Sequence, residues 1–465
     1  MKRYRETQKT VFSAKASAKV VLWQIKKVIH CHFPDLSQRM KDISEPRKGA
    51  TYSIQEMVMA AIVLFLLKCD SRNDFNNKLK DEHFVKNYRQ IFRLRPPGMD
   101  AVNDLLEIIT PEDLENLRCR LLNGLIEKRV FHKLRFFKDR FFCIAIDGTG
   151  VYYWGNTPPD PIREYALKKE TKKETGDGKV SYSSQILEAV LVCRNGMSIP
   201  LISEWIANDD RPYDKQDCEL KAFKRLAVKL KKYFPRLNIC ILADGLYSNI
   251  SMMDVCRENE WKFITVFKDG NLPSVWEEVN SLLPLAHAAQ TAQKTSADST
   301  HWITSNYQWI KDLEYHKHNI HWIACMEETT HRETNKENAH RFVFLSTLDV
   351  KGQNVESIVK AGRARWAIED HFNTQKNRGG ALHHKFNRKN FNALKNWHHV
   401  RQVACIISEI VESTQALRLL LKEHAKMTWK KLWESLNAFL AMCSVEIIIV
   451  DFEGWCKRRR QVRLE

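Results

Sequence analysis

The chain has 465 residues, 44% of them apolar and 13 of them Trp, which excludes global disorder and suggests roughly two to four domains. Its 74 Lys and Arg outweigh 56 Asp and Glu, for a net charge of +18. A basic excess of this size, spread along the chain, favours a polyanionic partner, above all nucleic acid. The 12 cysteines are scattered without a CxxC pair, and the adjacent His30-Cys31-His32 cannot converge on one tetrahedral zinc. Reduced, mostly buried thiols are expected, as in cytosol. No apolar stretch follows the basic start Met1–Arg5, and the longest apolar run, Met57–Leu67, has 11 residues. Neither a signal peptide nor a bilayer span is expected, so the reading is a soluble, cytoplasmic protein with no membrane partner.

Residues 1–140 read as a helical region. Lys15–Val28 carries Val, Leu and Trp at helical spacing, and Ser53 with Glu56 forms a capping-box pattern opening Ile54–Leu67. Arg95-Pro96-Pro97-Gly98 is a break, and Thr110-Pro111-Glu112-Asp113 starts a further helix. Helices this rich in Lys and Arg suit either a DNA-binding bundle or an accessory role in packing and dimerisation.

From Phe141 the period changes. FFCIAI (Phe141–Ile146) reads as a buried strand ending at Asp147-Gly148-Thr149, followed by a solvated loop over Ala166–Lys179. Tyr182–Arg194 and Ser198–Glu204 form a hairpin around Asn195-Gly196. A helix over Lys215–Lys232 precedes a second buried strand, Asn238–Ala243, which ends at Asp244-Gly245. A helix near Asn249–Glu258 and a strand at Lys262–Phe267 complete a mixed α/β pattern for 141–270. Residues 271–350 read as a β-rich insertion: a helix at Ser274–Leu282, a polar linker at Ala288–Thr300, then strands at Trp302–Ile310, Ile320–Met326 and Arg341–Thr347. Residues 351–412 begin with one long amphipathic helix, Asn354–Lys376, N-capped by Asn354, and continue into the helix Phe391–Val411. Residues 413–465 hold the helix Trp429–Met442 and a basic tail, Lys457–Arg463.

Three acids stand out. Asp147 and Asp244 each follow an apolar strand, and acids at the carboxyl edge of an α/β sheet are placed to act together. Downstream, Arg365, Glu369, Phe372 and Lys376 fall on one helical stripe, so a carboxylate lies between two cations. Alone that stripe is a surface ion pair. With two strand-end aspartates upstream it suggests phosphodiester chemistry, in which two Mg²⁺ ions about 3.5–4 Å apart neutralise the attacking and leaving oxygens. Such hard ions are held by a few carboxylates together with substrate phosphate and water.

Asp147 in AIDGTG, Asp244 in LADGLYS and Arg365-x3-Glu369-x6-Lys376 together resemble the DDE transposases of bacterial insertion sequences, in the insertion sequence 4-like branch. That branch has a Y-x2-R-x3-E-x6-K signature and a β-rich insertion before the Glu; FKDGN (Phe267–Asn271) is also similar. The likeness spans about Phe141–Arg401. It implies an RNase H-like catalytic core with a β-rich insertion, preceded by a helical N-terminal region and followed by C-terminal helices. Asp147, Asp244 and Glu369 would then be the catalytic metal ligands for two Mg²⁺, with Mn²⁺ as a substitute. Arg365 and Lys376 would hold phosphates of double-stranded DNA at the transposon ends. The activity implied is cleavage at those ends and strand transfer into target DNA, by a homodimer on DNA in the bacterial nucleoid. Gly362 stands where the signature has Tyr, so that phosphate contact is absent or comes from elsewhere. A nuclease without strand transfer and a domesticated, non-catalytic DNA-binding relative are the alternatives.

Smaller candidates accompany these. Arg378, Lys385, Arg388 and Lys389 extend the basic track as DNA-backbone contacts. Asp217 and Glu219 are either a supporting acidic pair or helix-start dipole partners. Trp302, Trp309 and Trp322 suit core packing better than base stacking, and His383-His384 is not needed beside three carboxylates.

Overall fold

A computed structural model describes the chain except residues 1, 138–139, 161, 172–178, 207–214, 286–288, 425–426 and 457–465, and the side chains of 2–15, 164, 167–171, 179 and 215–218. The basic tail Lys457–Arg463 therefore lies outside the described residues. Helices α1 (Lys2–His32), α2 (Leu36–Lys41), α3 (Ile54–Leu66), α4 (Arg72–Lys78), α5 (Glu82–Phe92), α6 (Met99–Ile108) and α7 (Pro111–Glu127) come first. The capping box of α3 is formed: Ser53 accepts from the Glu56 N–H, and the Glu56 carboxylate accepts from the Ser53 N–H. Arg95 donates to the same carboxylate at 2.8 Å, tying the Pro-Pro break to the start of α3. Every residue of α3 is buried, as an all-round apolar helix must be.

The sheet follows, with β1 (Phe142–Trp154), β2 (Leu167–Thr171), β3 (Lys179–Val192), β4 (Ser198–Ile206), α8 (Lys215–Tyr233), β5 (Ile239–Ala243), α9 (Ile250–Glu258), β6 (Lys262–Val266) and α10 (Pro273–Leu282). The remaining strands are β7 (Gln290–Ala297), β8 (His301–Tyr315), β9 (His318–His331) and β10 (Glu337–Ser346). They form one mixed, ten-stranded sheet in the order β2-β3-β1-β5-β6-β10-β9-β8-β7, with β4 also paired to β3. β1, β5 and β6 run parallel, while β3 and β4 add antiparallel on one side and β10 to β7 antiparallel on the other. Alternation along the strands divides the core. Ile144, Ile146, Ile241 and Phe263 face Phe223, Leu226 and Met252 of α8 and α9. Cys143, Ala145, Leu242 and Phe344 face Val355, Ile358, Ile368 and Phe372 downstream.

Several boundaries differ from the sequence pattern. β1 does not stop before Asp147-Gly148 but runs on to Trp154, because β3 keeps pairing with it after β5 has ended. Part of the expected loop at Ala166–Lys179 is β2, paired in register from Leu167↔Ser183 to Thr171↔Lys179. The expected polar linker holds β7, whose polar side chains are largely exposed on an edge strand paired to β8. The long helix is broken: α11 (Val355–Arg363) and α12 (Ala367–Asn377) are separated by a 3₁₀ turn at Ala364–Trp366. Asn354 occupies the expected N-cap position of α11, but its side chain makes no capping bond; it accepts from the Lys351 N–H and donates to the Asp349 carbonyl instead.

Helices α13 (Phe391–Glu412), α14 (Gln415–Glu423), α15 (Trp429–Met442) and α16 (Glu446–Cys456) close the fold. They pack on the N-terminal helices, so the two ends of the chain share one apolar core. Among the described residues no single helix is long and apolar enough to cross a membrane. The buried Asn87 of α5 joins the two ends: its amide donates to the Leu440 and Cys443 carbonyls, both at 2.7 Å, and accepts from the Val445 N–H. Asn87→Ala removes the side-chain partner of three backbone groups, two of them buried. It should lower stability by about 2–4 kcal/mol in a denaturant titration; a loss indistinguishable from zero would show that water replaces the amide.

Candidate active site

β1 and β5 pair in parallel up to Ala145↔Leu242. Two residues further along both strands, Asp147 and Asp244 share a parity and leave the same face of the sheet side by side. Asp147 remains inside β1, where its carboxylate accepts from the Gly148 N–H at 2.9 Å. Asp244 begins a short 3₁₀ turn, Gly245–Tyr247, and accepts from the Leu246 N–H at 2.9 Å. The FKDGN stretch packs here: the Lys268 stem lies against Gly245, and the Asn271 amide donates to its carbonyl.

α12 brings the third acid to the same face. Arg365, in the 3₁₀ turn, donates to Glu369 at 2.8 Å and reaches Asp147 at 3.5 Å, so one buried guanidinium links two of the acids. Lys376, two turns beyond Glu369, donates to the Thr149 hydroxyl at 2.7 Å. Thr149 was missed in the sequence, although a residue two places after Asp147 in a strand must share its face. Burial pushes the Asp147 carboxyl up to about 6, against the pull of Arg365 and the Gly148 N–H, and the charges of Asp244 and Glu369 add to the rise. Burial lowers the Lys376 ammonium, with Asp147 opposing.

Glu219 approaches from α8 on the other face of the sheet; its carboxylate would lie 3.1 Å from a Cβ placed on Gly148, which explains the glycine beside Asp147. The side chain of Asp217 lies outside the described residues. Tyr247, also missed, is buried, and among the described residues its hydroxyl has no hydrogen-bond partner; burial raises its pKa, and Glu219, Asp147 and Asp244 raise it further.

The remaining basic candidates lie apart from the acids. Lys385 donates to the Tyr153 carbonyl and sits 5.2 Å over the Trp154 ring. Arg388 and Lys389 are exposed on the same segment, while Arg378 is exposed on the rim of a cavity of about 490 Å³ shared with Lys68, Trp429 and Trp433. His383 lies 5.4 Å from the Tyr153 ring and His384 4.7 Å from Phe386. Trp309 and Trp322 are core residues. Trp302 is not: it is 60% exposed, under the Arg332 guanidinium at 4.4 Å.

Gly362 lies in α11 against β10. A Cβ there would come within 2.7 Å of the Phe344 ring, so no larger side chain fits without displacing that ring.

Among the described residues no three acidic, His or Cys side chains are grouped closely enough to hold an ion as they stand. The donor chemistry nevertheless suits a hard divalent cation: Asp147 is a carboxylate whose pKa is raised by burial, with a smaller rise from the charges of Asp244 and Glu369. Comparison with models of known protein families and with curated proteins finds no match to this chain.

Two expectations follow. Because the native carboxyl of Asp147 titrates near 6 rather than at its ordinary 3.8, the folded chain binds that proton more tightly. Stability then falls as pH rises between about 4 and 6. In metal-free buffer Asp147→Asn should therefore be more stable than the parent at pH 7 by about 1–3 kcal/mol, with the gain gone below about pH 4; equal stability at both pH values would contradict the burial of this charge. Separately, Gly362→Ala should cost about 1–3 kcal/mol through overpacking, part of it regained in Gly362→Ala/Phe344→Leu. Chemical denaturation of the three chains checks this, and an unaltered midpoint for Gly362→Ala would show that the Phe344 ring moves freely.

Proposed function

We propose that the chain is a DNA transposase of the DDE type, with Asp147, Asp244 and Glu369 as its catalytic acids. The observation that carries the reading is that two parallel strands and one helix bring these acids to one face of the sheet: Asp147 and Glu369 share Arg365, Asp244 adds its charge at Asp147, and Lys376 bonds Thr149 beside them. The order β4-β3-β1-β5-β6, an antiparallel meander followed by two strands parallel to β1, supports an RNase H-like core. β7 to β10, inserted before the helix with Glu369, support the insertion sequence 4-like branch. A net charge of +18 supports a DNA partner.

The acids would hold Mg²⁺, or Mn²⁺ in its place, which when bound neutralises charge on the attacking and leaving oxygens of a phosphodiester. The chain's own contribution is placement and charge. Lys376, steadied by Thr149, presents a cation at the mouth of the acidic site for a DNA phosphate. Arg365 serves as counter-ion to Asp147 and Glu369 and becomes available to a phosphate as the acids are neutralised otherwise. Joining two transposon ends needs two such sites, so a homodimer on DNA, at the bacterial nucleoid, belongs to the reading. Gly362 favours one alternative: with the signature tyrosine sterically barred, a domesticated relative that binds DNA without catalysis is the second reading.

The test is incubation of the full chain with a linear duplex carrying the genomic segments on both sides of its gene, a target plasmid and Mg²⁺. Cleaved ends joined to the plasmid are expected. Asp147→Ala and Glu369→Ala should each lower cleavage at least about a hundredfold while duplex binding is retained. Undiminished cleavage by both variants would sink the assignment of the acids. Cleaved ends that are never joined would favour the nuclease, and binding without cleavage the domesticated relative.

A further inference from the structure

We infer that Glu188 is a positioning residue for this site: a buried carboxylate that sets α12, and with it Glu369 and Lys376, against the strand carrying Asp147. The inference rests on the reading of Asp147 and Glu369 as catalytic acids and adds a residue to which that reading assigns no role.

Glu188 interrupts an otherwise apolar stretch of β3, Ile186–Val192, and pairs directly with Asp147 in the antiparallel ladder. Residues paired in this way point to the same face, so Glu188 lies beside Asp147 but under the helices rather than at the opening. It is 1% exposed. Its Oε1 accepts from the Gln402 amide at 2.8 Å and from the Ser203 hydroxyl at 3.0 Å, and the His398 Nε2 stands 3.3 Å away. The His371 Nε2 lies 3.7 Å from its Oε2. Gln375 continues the network: it bonds His371 within α12, and its Oε1 accepts from Gln402 at 3.1 Å.

One carboxylate therefore gathers β4 through Ser203 and α13 through His398 and Gln402, and it reaches α12 at one remove, through the Gln402–Gln375 bond, with His371 close to its other oxygen but not bonded to it. His371 and Gln375 are four residues apart on one side of α12, roughly opposite Glu369 on the helical wheel. The helix is thus held from behind by Glu188 while its front presents Glu369 and Lys376. A buried acid is a costly way to fill space, and apolar packing would bury the helix equally well. What hydrogen bonds add is direction: they fix distance and angle, whereas apolar contacts allow sliding. A site assembled from three acids on three elements depends on that fixity, because displacement of about 1 Å spoils its geometry.

The experiment compares full-length wild type, Glu188→Ala, Glu188→Gln, Gln375→Leu and Asp147→Ala. Mn²⁺ binding without DNA is read from the electron paramagnetic resonance signal of the free ion. Single-turnover cleavage and gel-shift affinity use the flanking-DNA duplex. Glu188→Ala should weaken Mn²⁺ binding and slow cleavage by about tenfold or more, with duplex affinity within about twofold of wild type. Glu188→Gln keeps an oxygen acceptor for Gln402 and Ser203 and should regain most of both losses. Gln375→Leu leaves Glu188 in place, loosens only the α12 side, and keeps the test open where Glu188→Ala does not fold; it should lose part of both. Folded Glu188→Ala or Gln375→Leu chains that bind Mn²⁺ and cleave as wild type overturn the positioning role, as does Glu188→Gln behaving like Glu188→Ala. If Asp147→Ala retains both properties, the acidic-site reading fails and this inference falls with it. If Asp147→Ala loses both while the Glu188 and Gln375 variants keep them, the positioning role alone fails.

Discussion

The parallel pairing of β1 with β5 is the constraint on which the candidate site depends. It runs for four residue pairs, from Phe142↔Ile239 to Ala145↔Leu242, and then β5 ends. Past that point β1 has a neighbour on one side only, and the strip of sheet left open is where Asp147 and Asp244 emerge. Because β3 continues alongside, Asp147 is held in an extended, hydrogen-bonded strand rather than in a turn. Continued pairing also sets the residues around it. Thr149 lies on the same face two residues on and meets Lys376; Glu188 lies directly across and bonds Gln402 of α13, which in turn bonds Gln375 of α12.

Charge is arranged with the same economy. In a chain with net charge +18 the acidic site is a local reversal of sign, and Arg365 is its internal counter-ion. Arg365 does not offset the burial of Asp147, whose carboxyl is still pushed up to about 6, chiefly by loss of water and less by the charges of Asp244 and Glu369. A buried arginine between two carboxylates holds the acids together in the absence of other cations, and it leaves negative charge in excess. Both properties suit a site that receives further positive charge. The break between α11 and α12 does not disturb the pair: across the 3₁₀ turn Arg365 and Glu369 remain one turn apart, at 2.8 Å.

Much of this was legible in the sequence because it rests on local patterns. The apolar runs ending in Asp-Gly, the helical stripe Arg365–Glu369–Lys376, the Ser53–Glu56 capping box and the Asn195-Gly196 turn depend on neighbours within a few residues. What was not legible depends on partners far along the chain. Asp147-Gly148 looks like a turn until β3 supplies pairing, and QTAQKTSA looks like a linker until β8 supplies it. The break at Ala364–Trp366 has no proline or glycine within it to announce it. Glu188 did carry a signal, an acid within an apolar strand, but its meaning needed His371, Gln375, His398 and Gln402, which lie about 180 to 210 residues later.

Gly362 joins these threads. It was first a departure from a signature, a missing tyrosine. In the fold it is the point where α11 rests on β10, with the Phe344 ring filling the space that any side chain would need. A glycine at a helix–sheet contact lets the helix axis approach the strands more closely than a larger residue permits. Arg365 follows three residues later, and its reach to Asp147, at 3.5 Å, depends on how closely this stretch is seated. Glycine at 362 and the buried reach of Arg365 are therefore features of one helix–sheet contact. A side chain at this position must displace the Phe344 ring or move the helix, and a helix moved off the sheet would carry the Arg365 guanidinium away from Asp147.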